Sequence, residues 1–179
     1  KDVVVKFENT NALNGLSLKI PSSTKVAIVG PSGSGKSTLL NLIGLLEKPI
    51  SGIIEINGVN SSSLNPESRT NFRRENIGFI FQAYNLIPVL TAMENMEYVL
   101  MLQGIKKDER DRQVMTIAKQ LEIEDLLSKI PAQMSGGQQQ RVAIARAIVA
   151  KPKIVLADEP TANLDSKAGE TLLTLMKTL

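Results

Sequence analysis

The chain has 179 residues, enough for one domain with a full core, and 42% hydrophobic and 22% charged residues, a balance ordinary for a globular protein in water. Its net charge of +3 is too weak to indicate a nucleic-acid partner. Cysteine is absent, which excludes disulfides and thiolate metal sites; no apolar run approaches the ~18 residues of a membrane helix, and no signal-peptide pattern is read.

Residues 3–7 and 16–20 alternate or run apolar, with polar residues 8–11 between them, and predict a small antiparallel pair. Phe7 has two readings: a ring that stacks on a nucleotide base, or an ordinary strand core residue. Residues 26–29 are all apolar, the mark of a strand buried on both faces of a sheet. They run into Gly30-Pro31-Ser32-Gly33-Ser34-Gly35-Lys36-Ser37-Thr38, a G-x-x-x-x-G-K-S loop. Its chemistry explains its spacing. A triphosphate needs many donors around a small, highly charged group. Gly30, Gly33 and Gly35 allow backbone N–H groups to turn inward as an anion nest. The loop opens a helix whose first N–H groups and dipole face the same anion. Lys36 would reach the β- and γ-phosphates, and the Ser37 hydroxyl would ligate Mg²⁺.

Leu39, Leu40, Leu42, Ile43 and Leu46 recur at helical spacing. Residues 53–58 predict a strand ending in a turn at Asn57-Gly58. A short helix is expected from Pro66, and a strand over residues 77–81, with Gln82 directly after it. Residues 91–102, 109–121 and 124–130 then read as helices, an insertion spanning about 83–145. Met93, Met96, Met101 and Met115 lie in it, as a plastic partner surface or as core. Ser135-Gly136-Gly137-Gln138 is a second small-residue turn opening a helix, hence a second anion-binding helix end. One triphosphate loop leaves it unexplained unless it closes over the nucleotide of another subunit. Residues 154–157 form a second fully apolar strand ending in Asp158-Glu159. A carboxylate at that sheet edge can hold Mg²⁺ directly or through water. Glu159 can accept a proton from a water attacking the γ-phosphate. Strands alternating with helices around a buried parallel sheet make the class α/β.

In this order the motifs resemble the ATP-binding domain of an ABC transporter. Residues 30–37 resemble Walker A, Gln82 the Q-loop glutamine, and Ser135, Gly136, Gly137 and Gln138 the signature. Residues 154–159 resemble Walker B with its glutamate, and Ala162-Asn163-Leu164-Asp165 the D-loop. Met134 stands where leucine is common, a volume-conserving swap. Phe7 sits near the position of the base-stacking aromatic.

The resemblance implies a P-loop NTPase core with a small antiparallel β-subdomain and an inserted helical subdomain. The core would comprise 1–82 and 146–179, and the helical subdomain about 83–145. It implies ATP and Mg²⁺ as cofactors and two domains sandwiching two ATP molecules head to tail. Gln82 would contact Mg²⁺ or the attacking water, and Asp165 would link the two active sites. The partners implied are a second copy and transmembrane permease subunits, with no nucleic acid. The location implied is cytoplasmic, peripheral on the inner face of the membrane through the permease. The sequence has no histidine, so the family's switch histidine is expected beyond residue 179, and the chain is read as part of a longer protein. Residues 85–95 and 134–147 resemble the lipoprotein-release, macrolide- and peptide-export and cell-division group. A soluble ABC ATPase acting on DNA or ribosomes is the rival reading. Against the DNA-acting type, no sustained heptads lie between Gln82 and Ser135. An ATP-gated scaffold for membrane proteins would carry the same motifs.

Overall fold

The computed structural model describes residues 1–7 and 10–160, the side chains of Phe7 and Thr10 excepted. The chain divides into two compact units, Lys1–Arg73 and Arg74–Leu179.

In the first unit, β1 (Val3–Phe7) pairs antiparallel with β2 (Thr10–Leu16), with Val5 opposite Leu13 and Phe7 opposite Thr10. The second strand therefore lies earlier than the expected 16–20. Pairing to β1 overrides the polar look of Asn11 and Asn14, because strand preference depends mostly on the facing neighbour. Bulges on β1 and a left-handed Gly15 (φ 67°) bend the pair. Leu18 and Ile20 are left exposed. Val3, Val5 and Leu13 bury their side chains with Leu42 of α1 (Lys36–Ile43). That helix stops at Gly44, so Leu46 falls beyond it and is exposed.

Residues 26–29 differ from expectation. They join no ladder, and Val29 is 88% exposed. A strand is buried on both faces only within a sheet whose two faces are both covered by other layers. Among the described residues this unit offers only the β1–β2 pair and the hairpin β3 (Glu55–Ile56) to β4 (Val59–Asn60). The hairpin turns through Asn57 (φ 49°) and Gly58 (φ 78°), the two positive φ values of a type I′ turn. α2 (Pro66–Asn76) then begins at a proline, with the Asn65 side chain accepting from Ser68 N–H at 2.8 Å.

The second unit is built on β5 (Ile77–Ile80) and β6 (Ile154–Ala157), which run parallel with Ile80 opposite Ala157. Gly78 sits where a Cβ would strike the Ala147 carbonyl, so β5 packs straight onto α5 (Gly136–Ile148). α3 (Ala92–Leu102) and α4 (Lys107–Gln120) complete the core around Met96, Leu100, Val114, Ala118 and Ile144. Truncating Met96, Leu100 or Ile144 to alanine costs about 2–5 kcal/mol. Arg110 of α4 bonds Glu97 of α3 at 3.0 Å in a largely buried pair. Of the methionines, Met96 is fully buried, as the core reading expects, and Met101 and Met115 are exposed.

The expected helix over 124–130 does not form. Only a 3-10 turn, Glu124–Leu126, is present. The carbonyls of Leu127 and Lys129 instead accept the first N–H groups of α3, from Met93 and Ala92 at 3.0 and 2.8 Å. Those donors have no partner within their own helix. In a helix over 124–130 these would be two of the last four carbonyls, which have no partner of their own. What replaces the helical ladder is the shorter 3-10 pattern, Leu127 N–H to Glu124 O and Lys129 N–H to Leu126 O.

Candidate nucleotide site

The phosphate loop belongs to the first unit. Gly33 (φ 77°) and Gly35 (φ 87°) occupy the left-handed region, which carries little penalty only for glycine. At Gly35 a Cβ would also lie 2.7 Å from the Ala12 carbonyl of β2. The strand pair therefore sets how close the loop comes and excludes any side chain there. Gly35 is the N-cap of α1 and supplies no side-chain cap, and the first turn carries no acidic residue. This helix end is open to an anion, which would satisfy its N–H groups and its dipole. Lys36 Nζ donates to the carbonyls of Gly30 and Pro31 at 2.9 and 3.0 Å. The ammonium is thus held against the mouth of its own loop. Gly30, Pro31, Ser32, Gly33, Ser34, Gly35, Ser37 and Thr38 surround it as a mostly exposed turn.

The other predicted residues belong to the second unit. Because Ile80 pairs with Ala157 in parallel, the chain leaves both strands at the same sheet edge. Gln82 follows one strand and Asp158 and Glu159 the other. Asp158 N–H still donates to Ile80 O at 3.0 Å, which extends the ladder and fixes its half-buried carboxylate at the edge. Glu159 turns into the left-handed region at φ 44° and is exposed. A non-glycine residue there is strained, and such strain concentrates at working sites.

Ser135 caps α5. Its Oγ accepts from Gln138 N–H at 3.3 Å, and Gln138 Oε1 accepts from Ser135 N–H at 2.9 Å. This capping box fixes the serine at the helix start. Gly136 faces Tyr84: a Cβ there would lie 2.9 Å from the Tyr84 hydroxyl oxygen. Arg146 donates to the carbonyls of Tyr84 and Asn85, both in left-handed residues (φ 61° and 50°). Burial holds its guanidinium below the usual arginine pKa, and it stays a cation. The turn after Gln82 is therefore pinned to the helix that Ser135 opens.

Tyr84 and Arg146 were not found by sequence reasoning. The local pattern marks Arg146 only as a basic residue in a last helical turn, and its partners lie far away in sequence. Asp165 lies outside the described residues, as does the Phe7 side chain.

The profile of the family described as "ABC transporter" matches residues 13–162. The chain belongs to the ABC transporter family. It is an ATP-binding ATPase domain of that family. An uncharacterized ABC transporter ATP-binding protein of Methanocaldococcus jannaschii, MJ0796, is 47% identical over 94% of this chain and 73% of its own length. The lipoprotein-releasing system ATP-binding protein LolD of Legionella pneumophila is 44% identical, over 92% of this chain and 72% of its own. The macrolide export ATP-binding/permease protein MacB of Vibrio parahaemolyticus is 45% identical over 96% of this chain, which spans 26% of that protein. A solved dimeric structure of the MJ0796 cassette in a post-hydrolysis state, bound to ADP and Pi, superposes with a TM-score of 0.89 at 44% identity. It covers 100% of this chain and 81% of that one. These likenesses carry the α/β P-loop NTPase fold class, and they match the ABC domain to the lipoprotein-release and macrolide-export group.

Proposed function

We propose that this ABC domain binds and hydrolyses Mg-ATP as half of a head-to-tail dimer, and that hydrolysis drives export or extraction of a substrate by transmembrane permease subunits. The observation that carries the reading is the β5–β6 register, which sends Gln82, Asp158 and Glu159 off one sheet edge. A hydrolytic site needs that convergence of a metal-holding carboxylate, an amide and a base. The post-hydrolysis dimer of MJ0796 with ADP and Pi supports the two-subunit arrangement. The names of LolD and MacB support the membrane partners and, through them, an association with a membrane.

In this mechanism the N–H groups of Ser32 to Thr38, in the loop that Gly30 and Pro31 open, and the α1 dipole bind the phosphates. Lys36 exchanges its two loop carbonyls for β- and γ-phosphate oxygens. Ser37, Asp158 and Gln82 are all hard oxygen donors, the set that suits Mg²⁺ beside phosphates. Held by them, Mg²⁺ would supply charge neutralisation for the phosphate oxygens. Glu159 accepts a proton from the attacking water. The water oxygen bonds to the γ-phosphorus, the bond to the bridging oxygen breaks, and ADP and phosphate result. Ser135, Gly136, Gly137 and Gln138 of a second copy close over the γ-phosphate. Asp165 links the two sites, and Phe7 stacks on the base.

The test is Ser135→Arg in the full chain. The bulky cation is expected to abolish hydrolysis while ATP affinity of the monomer stays within about twofold. Loss of monomer binding would show that the signature acts within its own subunit and would count against the dimer.

A further inference from the structure

Gln140 is a buried polar residue that the mechanism above leaves unused. It lies on α5, one turn past the signature, and is 1% exposed. Val142, Ala143, Ile144 and Ala145 on the same helix are also buried. An apolar side chain would suit such a place without the cost of taking an amide out of water. The amide makes one directional bond: Nε2 donates to the Pro160 carbonyl at 2.8 Å, across twenty residues of sequence. Its orientation follows from that bond, since the opposite flip would set Oε1 against another acceptor.

Pro160 directly follows Glu159. A proline has no N–H, so its carbonyl is the only backbone polar group it can offer as an anchor. Glu159 sits at φ 44°, and a residue preceding proline is further restricted. A strained residue keeps such a conformation only when its surroundings hold it there. On one side Asp158 N–H is bound to Ile80. On the other side Gln140 is bound to Pro160.

We propose that Gln140 is a positioning residue for hydrolysis. By fixing the carbonyl of Pro160, the residue after Glu159, it sets the direction of the Glu159 carboxylate, and it ties that direction to the signature helix. This rests on the reading of Glu159 as the base. Misplacement of a reacting group by about 1 Å can cost on the order of a hundredfold in rate.

The experiment uses the full chain with Gln140→Met and Gln140→Leu, which remove the donor and fit an apolar setting. Each is made alone and with Glu159→Gln. The result expected is a kcat at least about tenfold lower with KM for ATP and the thermal midpoint near those of the parent. On top of Glu159→Gln, neither substitution lowers the residual single-turnover rate further, because the group being aimed is gone. Parent-like kcat would overturn the proposal. So would a full additional loss in the Glu159→Gln background, or loss of folding or ATP binding in both variants, which would make Gln140 a core residue only. Failure of the underlying reading shows separately: Glu159→Gln alone would then hydrolyse ATP at the parent rate.

Discussion

Lys36 shows how one side chain can be poised before any nucleotide arrives. Its ammonium already bonds two carbonyls at the loop mouth, so reaching phosphate exchanges neutral acceptors for charged ones. Lys36→Ala removes that gain, about 1.5–3 kcal/mol for a hydrogen bond to a charged group. ATP affinity, read by titration with a fluorescent analogue, is expected to fall at least about tenfold. Gly35→Ala is expected to fail for a different reason. Its Cβ meets the Ala12 carbonyl at 2.7 Å and its φ is 87°, so both stability and binding should drop. At this scale the phosphate loop was legible because its residue types are each required by local geometry. Tyr84, Arg146 and Gln140 were not. Each works through a partner 20 to 62 residues away, and no local pattern encodes a distant carbonyl.

Among the elements, helix starts were the most legible. Thr91 and Glu94 form a reciprocal cap on α3, with Glu94 Oε2 accepting from Thr91 N–H at 2.8 Å. The Thr91 N–H and hydroxyl hold the Glu94 carboxyl below its ordinary pKa of 4.5. The cap's contribution is therefore complete above about pH 4.5 and is lost as pH falls through the lower folded-state value. The difference in urea midpoint between the parent and Glu94→Ala is expected to shrink as pH is lowered from 7 toward 3. Asn95, 1% exposed, holds the loop before α3 through bonds to Ile87 N–H and to the carbonyls of Ile87, Leu90 and Thr91. Asn95→Ala removes the partner of the Ile87 N–H and the Leu90 carbonyl, while the Ile87 and Thr91 carbonyls keep the Leu90 and Asn95 N–H groups. It should cost about 2–4 kcal/mol, a fall of several degrees or more in thermal midpoint. Strand placement was less legible. The position of β2 depends on its partner, and the helix expected over 124–130 gives way to 3-10 bonds while the Leu127 and Lys129 carbonyls cap the start of α3. Both outcomes are settled by neighbours, not by the segments' own periodicity.

For the molecule as a whole, the sequence carried the α/β class and the family, because the motifs come in a fixed order and their edges fall at strand ends. Residues 26–29 mark the limit of that reading. Their apolar run reads as a doubly buried strand, yet burial of that kind is a property of a sheet and not of the segment. The central claim is that the phosphate loop is half of a site completed by the signature of a second copy. Glu159→Gln keeps the side chain's shape and removes the base, so ATP should bind without being consumed and hold two copies together. Light scattering on this variant in the full chain, with and without Mg-ATP, tests that claim most directly. A monomer without nucleotide that doubles in mass with ATP is the result expected. A variant that binds ATP and remains monomeric would contradict the shared site.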